Sequence, residues 1–421
     1  MANNKMVLEK YLRSLEDAYQ DESRRDFNDE INYEEEPFKP IPFYSLFGIS
    51  EDQYQEDTFK FDEDLEDMKG LKTITKTKSW IWPKYSQFGR FKPDSCLHHI
   101  QGRFSGNFLK NGPYTLFYND GTYLKVFLRN GLIHGLALRY FDDEWVWAGH
   151  VKMGVATGLC LAKEWEGGGI IIGEVDEKGE HTGENITYIY PDYKTALHGC
   201  FNNSVMKSAK CSEISSLKIL EGELKYRVEI MNPNSKFTFS PSDYNGFIGD
   251  CPHLRDPYED KYIEVRISSM EGGGEGIYAL KNIPTGILVA MFNGIKYELV
   301  SNPASGIDSE EEAYDRLSYN IHMPQDEDFF LDIPPLYRSL ENYSASLGHK
   351  VNHSFKPNCR FSTIFHPRWG RIRAITSISP ILKDEELFVN YGYDLNRSPL
   401  WFKELWNSHN SEKVYIKPKL F

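Results

Sequence analysis

The chain is poor in the features that mark a secreted scaffold, a membrane protein or a nucleic-acid binder. Its 421 residues hold six cysteines, Cys96, Cys160, Cys200, Cys211, Cys251 and Cys359, and no C-x-x-C pair. That pattern argues for a reducing compartment and against both a disulfide scaffold and a cysteine-rich zinc site. No run of eighteen apolar residues occurs, so no transmembrane segment is expected. The start, Met1-Ala2-Asn3-Asn4-Lys5, has no apolar stretch behind it of the kind a secretory signal needs. A basic footprint is missing as well. The net charge is -14, and residues 1–70 alone carry 20 acidic against 8 basic residues, leaving the remaining body close to neutral. Direct sequence-specific nucleic-acid binding is therefore not expected. The acidic segment reads as a largely disordered, solvated arm with the charge to attract a basic partner.

Apolar residues make up 40% of the chain and aromatics 14%, enough for a sizeable core. The length points to two or three domains. Within the arm, Leu8, Tyr11, Leu12, Leu15 and Tyr19 recur at helical spacing and predict one short amphipathic helix. Residues 27–70, with Pro37, Pro40 and Pro42 among acids and aromatics, read as irregular. From about residue 100 the texture changes to short aromatic runs punctuated by glycine. Gly131 and Gly135, Gly154 and Gly158, and Gly179 and Gly183 share a G-x-x-x-G spacing, and each pair follows an apolar-rich strand. This predicts a series of hairpins with glycine supplying positive φ at the turns. It resembles the MORN repeat, although an unrelated antiparallel meander makes the same shape prediction. Residues 206–260 read as a less regular connector completing this β-domain. Ser398 to Trp406, with Pro399 near its start, predicts a short C-terminal helix.

Three groups of residues carry candidate chemistry. Gly272-Gly273-Gly274-Glu275-Gly276 follows a strand and lets backbone approach a ligand closely. No helical βαβ pattern follows, so it is not a dinucleotide fingerprint. His349 and His353 stand i, i+4, a spacing that suits a metal site on a helix. However, Lys350 occupies the place a zincin gives to Glu, and Val351 to Asn358 is turn-like. The third group is the ordered set itself: Glu275-Gly276-Ile277-Tyr278, Asn293-Gly294, Gly348-His349-Lys350-Val351-Asn352-His353-Ser354-Phe355 with Pro357-Asn358-Cys359, Glu385-Glu386-Leu387, and Tyr391-Gly392-Tyr393. In this order and spacing it resembles the SET-domain protein-lysine methyltransferases that carry MORN-like repeats, over roughly residues 100–405.

The resemblance implies a mostly β protein: a MORN-like antiparallel β-meander followed by a knotted SET-domain β-fold with a short C-terminal helix. The implied divisions are 1–70 (arm), 71–205 (MORN-like repeats), 206–260 (connector), 261–394 (SET domain) and 395–421 (C-terminal helix and tail). It implies S-adenosyl-L-methionine as cosubstrate, held by Gly273, Gly274, Glu275, His349, Asn352, His353, Trp401 and Glu404, with no metal. Tyr391 becomes the catalytic tyrosine, and Phe292, Phe361 and Tyr393 line the lysine channel. Asn320 falls in a stretch, 314–323, where the likeness is weak. The implied substrate is a lysine of histone H3, the fourth residue of its tail in the family, or of other proteins. The implied setting is the nucleus and chromatin, and a monomer is expected.

Such a reaction needs a neutral amine. A free lysine is only about 0.04% neutral at pH 7, a deficit of roughly 4–5 kcal/mol, and a dry channel beside a sulfonium relieves it. Two positions depart from the family, which has tyrosine where this chain has Phe292 and Phe361. Loss of two hydroxyls leaves more room and fewer fixed hydrogen bonds. One reading is methylation beyond the first methyl. The alternatives are a weakened enzyme, or a scaffold that uses its sheet to bind proteins or lipid surfaces.

Overall fold

The computed structural model describes residues 2–23, 59–62, 72–76, 97–105, 108–141, 144–163, 167–176, 179–241, 248, 250–298, 319–323, 329–393, 395 and 398–414. The chain forms two compact units that meet in sequence at Thr238 and Phe239, with residues 165–168 grouping with the second.

The first unit is an antiparallel meander in which strands neighbour one another in chain order. The strands are β1 (Phe59–Asp62), β2 (Lys72–Lys76), β3 (Leu97–Gly102), β4 (Gly112–Tyr118), β5 (Tyr123–Arg129), β6 (Gly135–Phe141), β7 (Glu144–Lys152), β8 (Val155–Lys163), β9 (Ile170–Glu174), β10 (Gly183–Ile189), β11 (Thr195–Asn202), β12 (Val205–Leu220) and β13 (Glu223–Phe237). The three strands expected beside the glycine pairs are β5, β7 and β9. Turn chemistry follows the sequence. Asn130 and Gly131 have φ of 53° and 70°, and Met153 and Gly154 have 50° and 82°, the paired positive values of tight hairpin turns. The second glycine of each G-x-x-x-G also has positive φ. A meander is what both the MORN-like and the unrelated readings require, so the shape alone does not separate them.

Two expectations change here. Residues 2–23 belong to this unit as helix α1 (Ala2–Ser23), not to a disordered arm. Leu8, Tyr11, Leu15 and Tyr19 are buried against Phe127, Leu138, Leu161, Ile172 and Ile214 of the sheet. The apolar stripe predicted as a helix is covered by a sheet face, which ties these residues into the unit despite the net acidity of the segment. Most of residues 24–70 lies outside the described residues. The supposed connector also contains β12 and β13, the two longest strands. Their sequences are rich in Lys, Ser and Glu because much of each strand is solvated, and only spaced positions such as Met206, Ala209, Ile214, Leu217 and Leu224 are buried.

The second unit is built of small sheets. β14 (Ile263–Ile267) pairs with β15 (Glu275–Ala279); β16 (Leu288–Phe292), β22 (Gly370–Ser377) and β21 (Cys359–His366) form a three-stranded sheet; β17 (Ile295–Glu298), β19 (Phe329–Asp332) and β18 (Asn320–His322) form another. β20 (Asn352–His353) pairs in parallel with β23 (Phe388–Val389). The segment leading into β23 is also bonded on the β15 side, where Leu387 N–H donates to the Ile277 carbonyl and Ala279 N–H to that of Glu385. A late segment thus sits between two early ones, as the expected knotted β-fold requires. Helix α2 (Leu400–Val414) closes the described chain, with Pro399 just before it.

Buried polar groups brace these short strands. The Glu259 carboxylate accepts the backbone N–H of Met291 and of Leu347, and Arg368 donates to the carbonyls of Asp250, Cys251 and Leu254. The cysteines among the described residues are free thiols.

Candidate functional site

The glycine cluster forms the turn between β14 and β15. Gly272 and Gly274 have φ of 74° and 60°, the left-handed region, while a Cβ on either would meet nothing within 4 Å. Backbone conformation, and not crowding, therefore asks for glycine at both. Ser268 N–H closes the turn on the Gly274 carbonyl at 2.8 Å.

Asn352 and His353 reach this turn from β20. The Asn352 amide donates to the Glu275 carbonyl at 3.0 Å. His353 Nδ1 accepts the Tyr391 N–H at 3.1 Å, which leaves the proton of the neutral ring on Nε2. That Nε2 is buried with no hydrogen-bond partner. Burial holds the His353 pKa down at about 4, so the ring is neutral near pH 7.

His349 lies in the short turn Gly348–Lys350, with its ring near those of Tyr319 and Tyr343. Gly348 is a packing requirement, since a Cβ there would stand 2.5 Å from the Met291 carbonyl. Burial, with the Lys350 ammonium beside it, lowers the His349 pKa to about 3, against the opposing pull of backbone hydrogen bonds to Ser346 and Arg338. The i, i+4 histidines do not share a helix face, because one is in a turn and the other in a strand. No group of three metal-ligating side chains occurs among the described residues.

Around His353 the chain assembles aromatic rings from three segments. Tyr391 lies 5.3 Å from it, Phe355 4.5 Å, Phe402 4.8 Å and Trp401 6.3 Å, centroid to centroid. Tyr393 is 5.4 Å from Tyr391 and 6.3 Å from Trp401. The Tyr391 hydroxyl donates to the Val351 carbonyl at 2.7 Å. Burial raises its pKa well above the usual tyrosine value and that of Tyr393 to about 12, so both remain protonated phenols. Trp401 stays 45% exposed on α2. Glu404, a turn further on, is exposed and joins none of these contacts.

Phe292 and Phe361 meet edge to face with centroids 6.4 Å apart. Register explains it: Phe292 is opposite Arg373 and Phe361 opposite Ile375, two positions apart on β22, so both rings project from one face of that sheet. Asn320 opens β18 beside Tyr319, and its Oδ1 is buried without a partner.

The structure thus brings together Gly273, Gly274, Glu275, Asn352, His353, Tyr391, Tyr393 and Trp401. Phe292 and Phe361 pair separately, and Glu404 stands apart. Three contributors went unnoticed in the sequence. Phe355 and Phe402 had a signal, an aromatic inside the motif run and another beside Trp401. Glu386 had only its place in the Glu385-Glu386-Leu387 motif.

Residues 152–226 match the family described as Histone H3 K4-specific methyltransferase SET7 N-terminal, and residues 274–392 match the SET domain. Residues 274–392 of the chain thus carry a SET domain. The SET match begins at Gly274, near the end of the glycine turn, includes β20 and Tyr391, and stops short of Trp401. A relative, "Histone-lysine N-methyltransferase SETD7" from Halocynthia roretzi, is 33% identical over 264 residues. The alignment covers 61% of this SET-domain chain and 66% of the relative, just under two thirds of its length. Among solved structures, Chaetomium thermophilum Polycomb Repressive Complex 2 bound to GSK126 is 22% identical with a TM-score of 0.24, covering 35% of this chain and 17% of that one. The ctPRC2 chain in an autoinhibited conformation bound to S-adenosylmethionine is also 22% identical, with a TM-score of 0.26 over 36% and 17%. Scores this low lie below those of a shared overall fold.

Proposed function

We propose that this SET-domain protein is a protein-lysine N-methyltransferase that moves a methyl group from S-adenosylmethionine to a lysine side chain. The carrying observation is the ring of aromatic side chains around His353, set against the open glycine turn and the Asn352 amide. A flat, partly charged cosubstrate fits this setting. The buried Nε2–H of His353 lacks an acceptor, Gly274 leaves space over the turn, and Trp401 stays 45% exposed. In this reading the turn 273–275 and Asn352 hold the methionine end, and Trp401 covers the adenine. Glu404 has less support, being exposed on α2 without a partner in the site.

When bound, S-adenosylmethionine supplies an electrophilic methyl on a sulfonium. The chain's own residues orient and exclude water. The incoming lysine must arrive as a free amine, and the buried rings of Tyr391 and Tyr393, with the separate Phe292–Phe361 pair proposed to line its approach, offer a low-dielectric setting that disfavours the ammonium. The Tyr391 hydroxyl, protonated and donating to the Val351 carbonyl, keeps its oxygen lone pairs available as acceptors for a reacting group. Phe292 and Phe361 cannot hold a water or the amine by a hydroxyl, which leaves room for an amine already carrying a methyl.

A histone H3 tail lysine, the fourth residue included, or a non-histone lysine is the proposed target, with nuclear chromatin as the setting and a monomer as the working form. Incubating the full chain with labelled S-adenosylmethionine and a histone mixture tests the reading. Label in protein with di- or trimethyl-lysine by mass spectrometry is expected. If calorimetry detects no cosubstrate binding and no label is transferred, the scaffold reading replaces it. If only monomethyl-lysine forms, and Phe361→Tyr does not change the product, the wider-channel reading fails.

A further inference from the structure

Glu386 gathers five hydrogen-bond donors on one carboxylate that is only 4% exposed. Oε1 accepts from Ser268 Oγ at 2.7 Å and from the Asn352 amide at 3.2 Å. Oε2 accepts from the Ser269 N–H at 2.8 Å, the Ser269 hydroxyl at 2.5 Å and the Tyr278 hydroxyl at 3.0 Å. Burial would raise the Glu386 pKa, but the bonds from Ser269 and Ser268 outweigh it and keep the group ionised. The packing is built around this side chain. At Gly276 a Cβ would stand 2.1 Å from Glu386 Oε1, so β15 carries no side chain where the carboxylate passes.

We infer that Glu386 is a positioning residue for the cosubstrate site, joining the turn 268–275 to Asn352 through one carboxylate. The inference rests on the cosubstrate reading above, which gives those two segments their task. Glu386 itself is buried with both carboxylate oxygens engaged by donors of these segments and Tyr278, so it acts through them.

The donor set makes a carboxylate necessary, because it is acceptor-only. The hydroxyls of Ser268, Ser269 and Tyr278 can turn and accept instead. The Ser269 N–H can only donate. The Asn352 amide nitrogen also donates to the Glu275 carbonyl, so it cannot swap ends without losing that bond. Glutamine at 386 would set an N–H against one of these two fixed donors and free one end of the bridge, with no change in size.

The test uses the full chain as wild type, E386Q and the double variant S268A/S269A, which removes donors and buries no new charge. Binding of S-adenosylmethionine and S-adenosylhomocysteine is measured by calorimetry, and kcat and KM for both substrates by methyl transfer. E386Q is expected to weaken cosubstrate binding about tenfold, the equivalent of one charge-assisted hydrogen bond, and to raise the cosubstrate KM in parallel. KM for the protein substrate is expected to stay within about twofold. The serine variant is expected to move the same way by less. Wild-type affinity in E386Q overturns the inference. So does an equal loss on both substrates, or an unfolded E386Q beside a serine variant of normal affinity, since either marks a purely structural group. Failure of the wild type itself to bind S-adenosylmethionine removes the cosubstrate reading together with this one.

Discussion

In the first unit a continuous meander covers an apolar face with helix α1, and its deepest residues are Leu, Ile, Tyr and Trp side chains such as Leu8, Ile100, Tyr188 and Trp147. In the second, strands of two to eight residues are tied by buried polar groups, among them Glu259, Glu386, Arg368 and Asp256 paired with His366. Apolar burial is non-directional and tolerant of small shifts. A buried carboxylate accepting several N–H bonds fixes its partners within tenths of an ångström and is costly when broken. The unit built the second way is the one whose segments must meet at defined distances.

Four changes probe that contrast, from the largest expected effect down. Tyr391→Phe removes the hydroxyl that meets the Val351 carbonyl. Methyl transfer is expected to fall on the order of 10²-fold or more, with cosubstrate affinity nearly kept. Full activity would remove Tyr391 from the chemistry.

Acid should act on the second unit through His353. Its folded pKa of about 4 lies below the ordinary value of about 6.5, so the fold keeps the neutral ring. The stability this gives is complete above pH 6.5 and is lost as pH falls towards 4, about 3 kcal/mol across that window. Urea unfolding followed at pH 7, 6, 5 and 4 should show it, and His353→Leu should make the dependence shallower while leaving the share of His349, whose pKa is held down at about 3.

Leu15→Ala hollows the contact of α1 with the sheet. A loss of about 2–3 kcal/mol in the unfolding of the first unit is expected, with methyl transfer unchanged at temperatures where the fold persists. An unchanged midpoint would mean that α1 adds nothing to that core.

The smallest effect belongs to Glu16, which accepts from Lys125 and from the Tyr140 hydroxyl at the side of α1. Both charged side chains keep partial contact with solvent, at 20% and 29% exposure. Lys125→Met is therefore expected to cost under about 1 kcal/mol, and salt should weaken the native pair. A larger loss would show that polar precision matters in the first unit too.

The strands of the meander were legible because their information is local. Alternation and glycine turns placed β5, β7 and β9 within a residue or two, and the stripe from Leu8 to Tyr19 announced α1. What it packs on was not legible, since an amphipathic stripe fixes the face and not the partner. Within residues 206–260 a β-type run, Lys225 to Ile230, was legible, but not the full length of β12 and β13, because a half-solvated strand of Lys, Ser and Glu looks like a connector. In the candidate site, the motif residues from Gly273 to Tyr391 were found as a set. Phe402 and Glu386 were not placed, because their roles depend on segments 49 and 34 residues away, at His353 and Asn352.

The sequence by itself determined the order of the SET motifs, the hairpin turns and the two phenylalanines where relatives have tyrosine, because each is a matter of residue type at a fixed spacing. Only the tertiary structure decided that α1 covers the sheet, that His353 sits in a cage of rings, that Glu404 stands outside it, and that one carboxylate joins the glycine turn to Asn352. The reason is physical: a hydrogen bond or a ring contact is set by distance in space, and these partners are far apart along the chain.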